Sequence, residues 1–488
     1  MRTDRLDHRV LTGSLLLAAA LVAGACTSSG QTDGDRASSE VSSNTVPDLL
    51  PGETVDFGPA PDVPPGGLSP ELVELLDQLD SSFSLGLTAI TVGFDTEQLG
   101  RIVEIGDTRA LWVMADLLGF PLEGRLTSPD VVRAFESLSG TDISSGGNPG
   151  TNATNHLIAW DIPAFPGYLQ VKRALYTTLY PEWAPFFVAD ADVDWRHVRW
   201  GGVGIDDRLL GNNDRCVRGC IPALDDPAVT VAADGDWYPD DALVFGIEVD
   251  GAFRAYPKNM METHEMVNDT LGGRRIAVPY CTLCGSAQAY LVDELPDGAL
   301  PEDELPIMRT TGLLIRSNKM MFELRTRSLV DTFLGEGTSG PLQGQRFEQL
   351  SVATSTWAAW RDAHPDTTIL AEDGGIGRSY SADPLGGRDD NGPIFPIGAA
   401  DDRLPAQEPI LGIQTGDGRI VAVHVAIARS MLQNGDSIMI DDLSIELAGD
   451  GVRAARSDGS DPGGHQAFWF AWSQFHPSTI LWPVDFET

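Results

Sequence analysis

The chain has 488 residues, which is too long for one ordinary hydrophobic core, so we expect at least two domains. The hydrophobic fraction of 42% is enough for globular cores. Acidic side chains number 71 and basic ones 33, which makes the formal net charge −38 at pH 7. A negative excess of this size repels nucleic acid and anionic membrane surfaces, and we therefore exclude nucleic acid as a partner.

The N-terminus predicts where the protein is delivered. Arginines precede a short apolar run from Leu15 to Val22, which is too short to span a bilayer as a mature helix. The following Leu-Val-Ala-Gly-Ala-Cys (21–26) resembles the cleavage site of a bacterial lipoprotein signal, although Ala23 stands where that pattern prefers a bulkier aliphatic residue. The resemblance implies a signal peptide over 1–26, a lipid on Cys26, and an extracytoplasmic protein anchored to the cell membrane. The alternative is a plain secretory signal with an incidental cysteine.

Two segments of different character follow the signal. Residues 27–66 are rich in Ser, Thr, Gly, Asp and Pro, and we predict a disordered linker because such a segment buries little apolar surface. Residues 67–185 predict a small helical domain. Within it, Ser-Pro-Glu (69–71) and Ser-Pro-Asp (128–130) each place an N-cap residue before a proline in the first helical position.

From about residue 186 the sequence becomes rich in glycine, turns and short β-branched runs. Residues 242–249 and 253–256 are two such runs, and Asp250-Gly251 between them is typical of a tight β-hairpin. We therefore predict an α+β protein, in which a small N-terminal helical domain precedes a β-rich mixed domain.

The β-rich part contains an internal repeat. Residues 355–370 and 467–482 share the pattern Trp-x-x-Trp-x-x-x-His-Pro followed by Thr-Ile-Leu. A matching hairpin sequence lies upstream of each, at 243–257 and 409–423. Two such agreements in the same order indicate a duplication.

The two copies differ in length. The interval from the hairpin to the tryptophan motif is much shorter in the second copy, which has lost the middle of the unit together with its cysteines. We therefore assign residues 186–380 to a first copy that carries the chemistry and residues 381–488 to a degenerate second copy that completes the packing. The paired tryptophans share one side of a helix and are predicted to be core residues.

The five cysteines are unevenly placed. With Cys26 assigned to the lipid, the other four form two close pairs, Cys216 with Cys220 and Cys281 with Cys284. Unprotected thiols outside the cytoplasm tend to oxidise, so each pair is a candidate disulfide or a candidate pair of metal ligands. We predict a structural disulfide between Cys216 and Cys220.

Several stretches resemble, in this order, the DUF3179 family of bacteria and archaea, whose function is unknown. The resemblance covers roughly residues 195–482, and it rests on IPALDDP (221–227), GAFRAYPKNMMETHEMVNDTLGG (251–273), VPYCTLCGSA (278–287), TTGLLIRSNKMMFELRTRSL (310–329) and STWAAWRDAHPDTTIL (355–370). The positions that match the family pattern are Arg254, Tyr256, Pro257, His264, Glu265, Asn268, Asp269, Cys281, Cys284 and Gly285.

The resemblance implies redox chemistry, because some members are similar to selenoproteins with selenocysteine near the Cys-x-x-Cys motif. The chain also departs from the family pattern. Thr282 stands where the family usually has a proline between the cysteines, and residues 322–330 lack the usual final tryptophan and order of charges.

The first functional hypothesis is an extracytoplasmic thiol–disulfide oxidoreductase with a thiol-containing protein as its partner. One of Cys281 and Cys284 would attack as a thiolate, and the other would resolve the mixed disulfide. The residues alone do not say which cysteine attacks.

Polar residues upstream of the motif are candidates to assist these cysteines. His264 or Arg254 would stabilise the thiolate. Glu265 or Asp269 would orient His264.

Two other hypotheses remain open. Cys281, Cys284 and His264 would together offer three ligands to copper or zinc, and nearby methionines would suit Cu(I). Alternatively, Cys216 and Cys220 would join the other pair around one zinc ion. The third hypothesis is a non-enzymatic binding lipoprotein braced by two local disulfides. Beyond copper or zinc, no cofactor is predicted.

Overall fold

Helices dominate the first part of the described chain, as the cap signals predict. The computed structural model describes residues 50–86, 89–211, 216, 219–301 and 304–486. The predicted signal peptide with Cys26, and the linker as far as residue 49, lie outside the described residues. The elements of the N-terminal region are α1 (Pro70–Asp80), β1 (Phe83–Leu85), β2 (Ile90–Val92), α2 (Thr96–Ile105), α3 (Leu111–Leu117), β3 (Leu122–Gly124), α4 (Ser128–Ser139), α5 (Pro149–Trp160) and α6 (Tyr168–Leu179).

The two Ser-Pro signals both mark helix starts, one of them displaced by a residue. Ser69 caps α1, and its Oγ accepts a hydrogen bond from the Leu72 amide at 3.2 Å. In α4, Thr127 is the cap instead of Ser128, because Thr127 forms a reciprocal capping box with Asp130. The small sheet of β1, β2 and β3 was not predicted.

Residues 51–66, predicted as the end of the linker, have hydrogen-bond partners in the structure. The Gly52 amide donates to the Asp402 carbonyl at 2.8 Å, and the Trp160 indole donates to the Phe57 carbonyl at 3.1 Å. Further along, the Asp62 carbonyl accepts from the Thr108 hydroxyl at 2.9 Å. The segment therefore lies against the folded unit.

The rest of the described chain is mainly strand, which confirms the α+β prediction. Its first group of elements is β4 (Val198–Trp200), β5 (Leu224–Asp225), β6 (Val229–Val231), β7 (Leu243–Val249), β8 (Ala252–Pro257), α7 (Lys258–His264), β9 (Met266–Leu271), β10 (Arg274–Cys281), β11 (Ser286–Ala287), β12 (Ala289–Leu291), β13 (Met308–Ile315), β14 (Asn318–Glu323), β15 (Leu329–Asp331), β16 (Glu336–Gly337), β17 (Glu348–Leu350), β18 (Val352–Thr356), α8 (Trp357–Ala363) and β19 (Thr368–Leu370).

A connector without helix or strand follows at residues 371–408, and it is described throughout. The second group of elements comes after it: β20 (Pro409–Gln414), β21 (Ile420–His424), α9 (Val425–Gln433), β22 (Ile438–Ile440), β23 (Leu443–Ala448), β24 (Gly451–Arg456), β25 (His465–Phe468), α10 (Trp469–Phe475) and β26 (Ile480–Trp482). In the part of the chain that the structure covers, no helix is both long and apolar enough to cross a bilayer.

The predicted duplication is present as two sheets of the same topology. The first sheet has the order β18-β7-β8-β19-β6, and the second has the order β25-β20-β21-β26. In both, the first three strands are antiparallel and the last shared pair is parallel. The first copy adds two further sheets, ordered β17-β12-β10-β9-β5 and β16-β15-β14-β13-β4. Most of their strands lie between α7 and β18, and β4 and β5 come from earlier in the chain. At the corresponding place the second copy has the β22-β23-β24 sheet.

The repeated tryptophans are core residues, as predicted. Trp360 donates from its indole to the Thr367 hydroxyl at 3.0 Å, and Trp472 donates in the same way to Thr479 at 3.0 Å. Both indoles are almost fully buried. The structural counterpart of Thr479 is thus Thr367 and not Thr368, so the two Thr-Ile-Leu segments are offset by one residue.

In each copy of the repeat, one glycine lies so close to a tryptophan ring that there is no room for a side chain. A Cβ atom built on Gly246 would collide with the six-membered ring of Trp360, and one on Gly412 would collide with the same ring of Trp472. In each copy the tryptophan ring of the helix therefore packs directly on the glycine backbone of the hairpin.

The helical region shares its core with the inserted β-sheet. The cluster that contains the buried faces of α1 to α6 continues into Val198 of β4, Leu313 of β13 and Phe322 of β14. The predicted boundary at residue 185 is consequently a change of secondary structure within one continuous core.

Candidate functional site

The Cys-x-x-Cys motif lies in a tight turn between two strands. Strand β10 ends at Cys281, a 3₁₀ turn covers Thr282–Cys284, and β11 returns so that Ser286 pairs with Cys281. Gly285 closes the turn with φ at 59°, a conformation that favours glycine. A Cβ atom there would also lie 3.1 Å from the ring of Phe468 in the second copy. Both the backbone conformation and the close ring therefore favour glycine at this position.

The two cysteines are free thiols with different surroundings. Cys281 is 5% exposed and Cys284 is fully buried. The Cys284 thiol donates to the Ser317 carbonyl at 3.2 Å, and the Cys281 sulfur lies 3.9 Å from the same oxygen. Burial raises the pKa of the Cys284 thiol well above its usual value, and the neighbouring Cys281 raises it further. Cys284 is therefore held as a neutral thiol.

A buried ion pair lies beside Cys281. Lys319 Nζ is 3.7 Å from Glu265 Oε2, and the Thr282 hydroxyl donates to Glu265 Oε1 at 3.2 Å. Burial lowers the pKa of Lys319, while the charges of Glu265 and Cys281 act in the opposite direction. Burial raises the pKa of the Glu265 carboxyl, which Lys319 opposes. The lysine is a positive charge that interacts with Cys281 and is available to a thiolate there.

Local structure explains how these side chains meet. The chain leaves α7 through Glu265, whose left-handed backbone (φ 53°) ends the helix directly after His264, and the Glu265 carboxylate contacts Thr282 and Lys319. The β13–β14 hairpin turns over two residues, and this tip brings Ser317 to the thiols and Lys319 to the carboxylate.

These groups open onto a cavity of about 170 Å³. Cys281 lines it and Cys284 does not. The polar residues of the lining are Glu262, Thr263, Glu265, Thr282, Thr310, Ser317, Lys319 and Arg388, and the apolar side chains include Leu313, Leu314, Met320, Leu385 and Phe395. Three of these, Leu385, Arg388 and Phe395, belong to the connector between the two copies.

His264 lies apart from the thiols. Its Nδ1 is 2.7 Å from the Pro222 carbonyl and its Nε2 is 2.8 Å from the Tyr380 hydroxyl, so both ring nitrogens have hydrogen-bond partners. Burial lowers the pKa of His264 to about 4. The imidazole is neutral at physiological pH, and the structure does not place it where the sequence analysis expected a thiolate-stabilising group.

Arg254 and Asp269 also form a cluster of their own. The Arg254 guanidinium is paired with the Asp269 carboxylate, which accepts a further hydrogen bond from the Tyr256 hydroxyl at 2.8 Å. Thr368 accepts from Arg254 Nε at 3.1 Å. This cluster ties β8 to β9 and β19. Of the four assisting residues that were predicted, the structure therefore brings only Glu265 to the cysteines.

Neither predicted set of metal ligands is assembled. Among the described residues, the only group of three or more candidate ligand atoms is Asp206 with Cys216 and Cys220. Cys281 and Cys284 meet neither His264 nor the other cysteine pair. The predicted disulfide is confirmed, since Cys216 and Cys220 are at disulfide distance with their Cα atoms 5.3 Å apart.

Three charged residues of the cavity, Glu262, Lys319 and Arg388, escaped the sequence analysis. Lys319 stands in β14, where every residue is buried, and a buried lysine requires a partner for its charge. Arg388 lies in a connector without regular structure, and no pattern in the sequence points to it.

A comparison with known families agrees with this region of the chain. Residues 218–444 match the family model described as "Protein of unknown function (DUF3179)". The match is narrower than the expected 195–482, but it includes the cysteine turn, the ion pair and the connector. No curated protein and no solved structure gives a significant match to the chain.

Proposed function

The chain carries a DUF3179 region at residues 218–444, and we propose that this region performs thiol–disulfide exchange with Cys281 as the attacking thiol. One observation supports this assignment above all. Both thiols are free and adjacent, yet only Cys281 reaches the cavity, while Cys284 is fully buried behind it. This arrangement provides one cysteine for attack and one for resolution.

The chemistry proceeds in two balanced steps. The Cys281 thiolate attacks one sulfur of a disulfide R–S–S–R′, forming a mixed disulfide and releasing R′S⁻, which takes up a proton. Cys284 then loses its proton and attacks Cys281 Sγ, forming the Cys281–Cys284 disulfide and releasing RSH. Two electrons pass from the protein dithiol to the substrate disulfide, and the reverse reaction oxidises two substrate thiols.

The neighbouring charges and burial are consistent with Cys281 as the attacking thiol and Cys284 as the resolving thiol. The Lys319 ammonium attracts negative charge on Cys281, whereas the Glu265 carboxylate next to it repels that charge. The high pKa of Cys284 keeps the resolving thiol protonated until the mixed disulfide has formed. Premature reaction of the buried thiol is thereby limited.

The proposal includes a location. The lipoprotein-like signal ending at Cys26 supports an extracytoplasmic protein held to the membrane by lipid, and the Cys216–Cys220 disulfide suits an oxidising compartment. A Cys26→Ser variant expressed in a lipoprotein-processing bacterium is then expected in the soluble fraction, with the parent in the membrane fraction. Equal fractionation of the two would contradict the lipid anchor.

Trapping of the mixed disulfide tests the redox assignment. In Cys284→Ser the resolving step is absent, so incubation with hydroxyethyl disulfide should leave one small-molecule adduct on Cys281. The matched Cys281→Ser variant should remain unmodified at the motif, because Cys284 does not line the cavity. Intact mass and peptide mapping after acid quench measure both.

Three outcomes would oppose the proposal. They are adducts in both variants, adducts in neither, or a native mass of the parent that carries one stoichiometric metal and protects the thiols from alkylation. The last outcome would favour a metal site instead.

A further inference from the structure

The size of the cavity limits what can reach Cys281. At about 170 Å³ it is well below the roughly 300–1,000 Å³ of pockets that take drug-sized ligands. Cys281 is 5% exposed, so the sulfur does not stand on a surface where a folded protein disulfide could dock. The space admits one arm of a small organic disulfide.

Among the described charged residues that line the cavity, Arg388 is the one without a contact ion pair. Glu265 is paired with Lys319, and Glu262 is paired with Lys258. Arg388 is exposed at the connector, and its charge acts to lower the pKa of the nearby Glu265 carboxyl, but among the described residues it makes no hydrogen bond and no ion pair at contact distance. A guanidinium free to bind at the wall of a cavity is suited to a carboxylate, which it can hold by two parallel hydrogen bonds.

Part of the cavity wall is apolar. Leu313, Leu314 and Met320 come from the inserted sheet, and Leu385 and Phe395 come from the connector. Such a lining suits a short run of methylene groups between the reacting sulfur and a terminal charge.

We infer that the substrate of this site is a small organic disulfide, or the matching thiol, whose short aliphatic arm ends in a carboxylate that Arg388 binds. The inference rests on the proposed exchange at Cys281 and adds the substrate class. The formal net charge of −38 works against it over long range, since it repels anions and attracts cations. Selectivity for a carboxylate would therefore be a property of the cavity.

Three disulfides with arms of similar length provide the test. They are dithiodipropionate, hydroxyethyl disulfide and cystamine, which end in carboxylate, hydroxyl and ammonium. The protein, with Cys281 and Cys284 reduced and Cys216–Cys220 intact, is mixed with each under single-turnover conditions. The rate of Cys281–Cys284 disulfide formation is then divided by the rate at which dithiothreitol reduces the same compound, which removes the intrinsic reactivity.

After this normalisation, dithiodipropionate should react about tenfold faster than hydroxyethyl disulfide, as one charge-assisted hydrogen bond allows, and faster still than cystamine. Arg388→Gln should remove that preference. Arg125→Gln is the matched control, because this arginine is 72% exposed in the helical region and should leave the ratio unchanged.

Each of the other outcomes contradicts one specific part of the inference. A preference for cystamine, or a carboxylate preference that survives in Arg388→Gln, would overturn the role of Arg388. Oxidation by insulin but by none of the small disulfides would overturn the substrate class and leave exchange at Cys281 standing. No oxidation by any disulfide would overturn the exchange reaction together with the inference.

Discussion

At the scale of single residues, Glu265 and Lys319 have opposite effects on a charge at Cys281. Lys319→Met removes the ammonium and leaves the carboxylate, so alkylation of Cys281 by iodoacetamide at pH 7 should slow by about tenfold, which corresponds to about 1.4 kcal/mol. Glu265→Gln keeps the shape and removes the repelling charge, so the same reaction should become faster. Peptide mapping against time measures both rates.

The opposite signs distinguish electrostatics from damage to the fold. Loosening of the cavity would expose the thiol and accelerate alkylation in both variants, and it would also modify Cys284. Acceleration in Lys319→Met would therefore contradict the role given to the ammonium.

The sequence predicts this site only in part. The two thiols follow from the Cys-x-x-Cys motif, because close neighbours along the chain stay neighbours in space, and Glu265 follows from the polar segment upstream of it. Lys319 and Arg388 come from a hairpin and a connector that only the tertiary fold brings to the turn. His264 was misplaced for a related reason: α7 ends at that residue, so its imidazole and the Glu265 carboxylate point to different partners.

At the scale of elements, the repeat places an indole directly on the backbone of a glycine. Gly246→Ala and Gly412→Ala should each destabilise the protein, by about 1–3 kcal/mol, because a methyl group would overlap the facing tryptophan ring. Urea unfolding followed by circular dichroism measures the free energy of unfolding.

Gly100→Ala is the control of the same chemical size. Gly100 lies inside α2, and nothing stands within 4 Å of an added Cβ atom. This variant should stabilise the protein by about 0.5–1 kcal/mol, because alanine favours the helix. Destabilisation of the same size in all three variants would contradict the packing explanation.

The starts of two helices and one hairpin could be predicted from sequence, whereas the pairing of strands into the smaller sheets could not. Cap residues mark α1 and α4 to within one position, and Asp250-Gly251, both with positive φ, mark the β7–β8 hairpin. The strands of the β1-β2-β3 sheet have three residues each, too few for a periodic signal. Their pairing depends on contacts that are remote in sequence.

At the scale of the whole molecule, buried histidines predict loss of stability in acid. Burial lowers the pKa of His197, His264 and His476 to about 4 and that of His465 to about 3, below the ordinary 6.5. The unfolded chain then binds more protons than the folded protein between pH 6.5 and about 4, so the free energy of unfolding falls as the pH falls through this window.

Each histidine contributes up to about 1.4 kcal/mol per pH unit there. Burial also raises the pKa of three carboxyls, Asp331 (to about 6), Glu262 and Glu265, and these act in the opposite direction without outweighing the four histidines. Urea midpoints measured from pH 7 down to pH 5 should therefore decrease steadily. In His465→Gln the free energy of unfolding should depend less steeply on pH, by the equivalent of about one proton. Equal midpoints at both pH values would count against buried neutral imidazoles.

The duplication also determines how many Cys-x-x-Cys sites each polypeptide carries. Sulfur atoms from the first copy pack with Trp469 and Phe470 of the second copy, so the chain resembles a dimer fused end to end in which one half has kept the thiols and the other half encloses them. The enclosing half cannot dissociate on dilution, because the peptide chain holds it at high effective concentration. One polypeptide should accordingly exchange a single pair of electrons per cycle, with no cooperativity between sites.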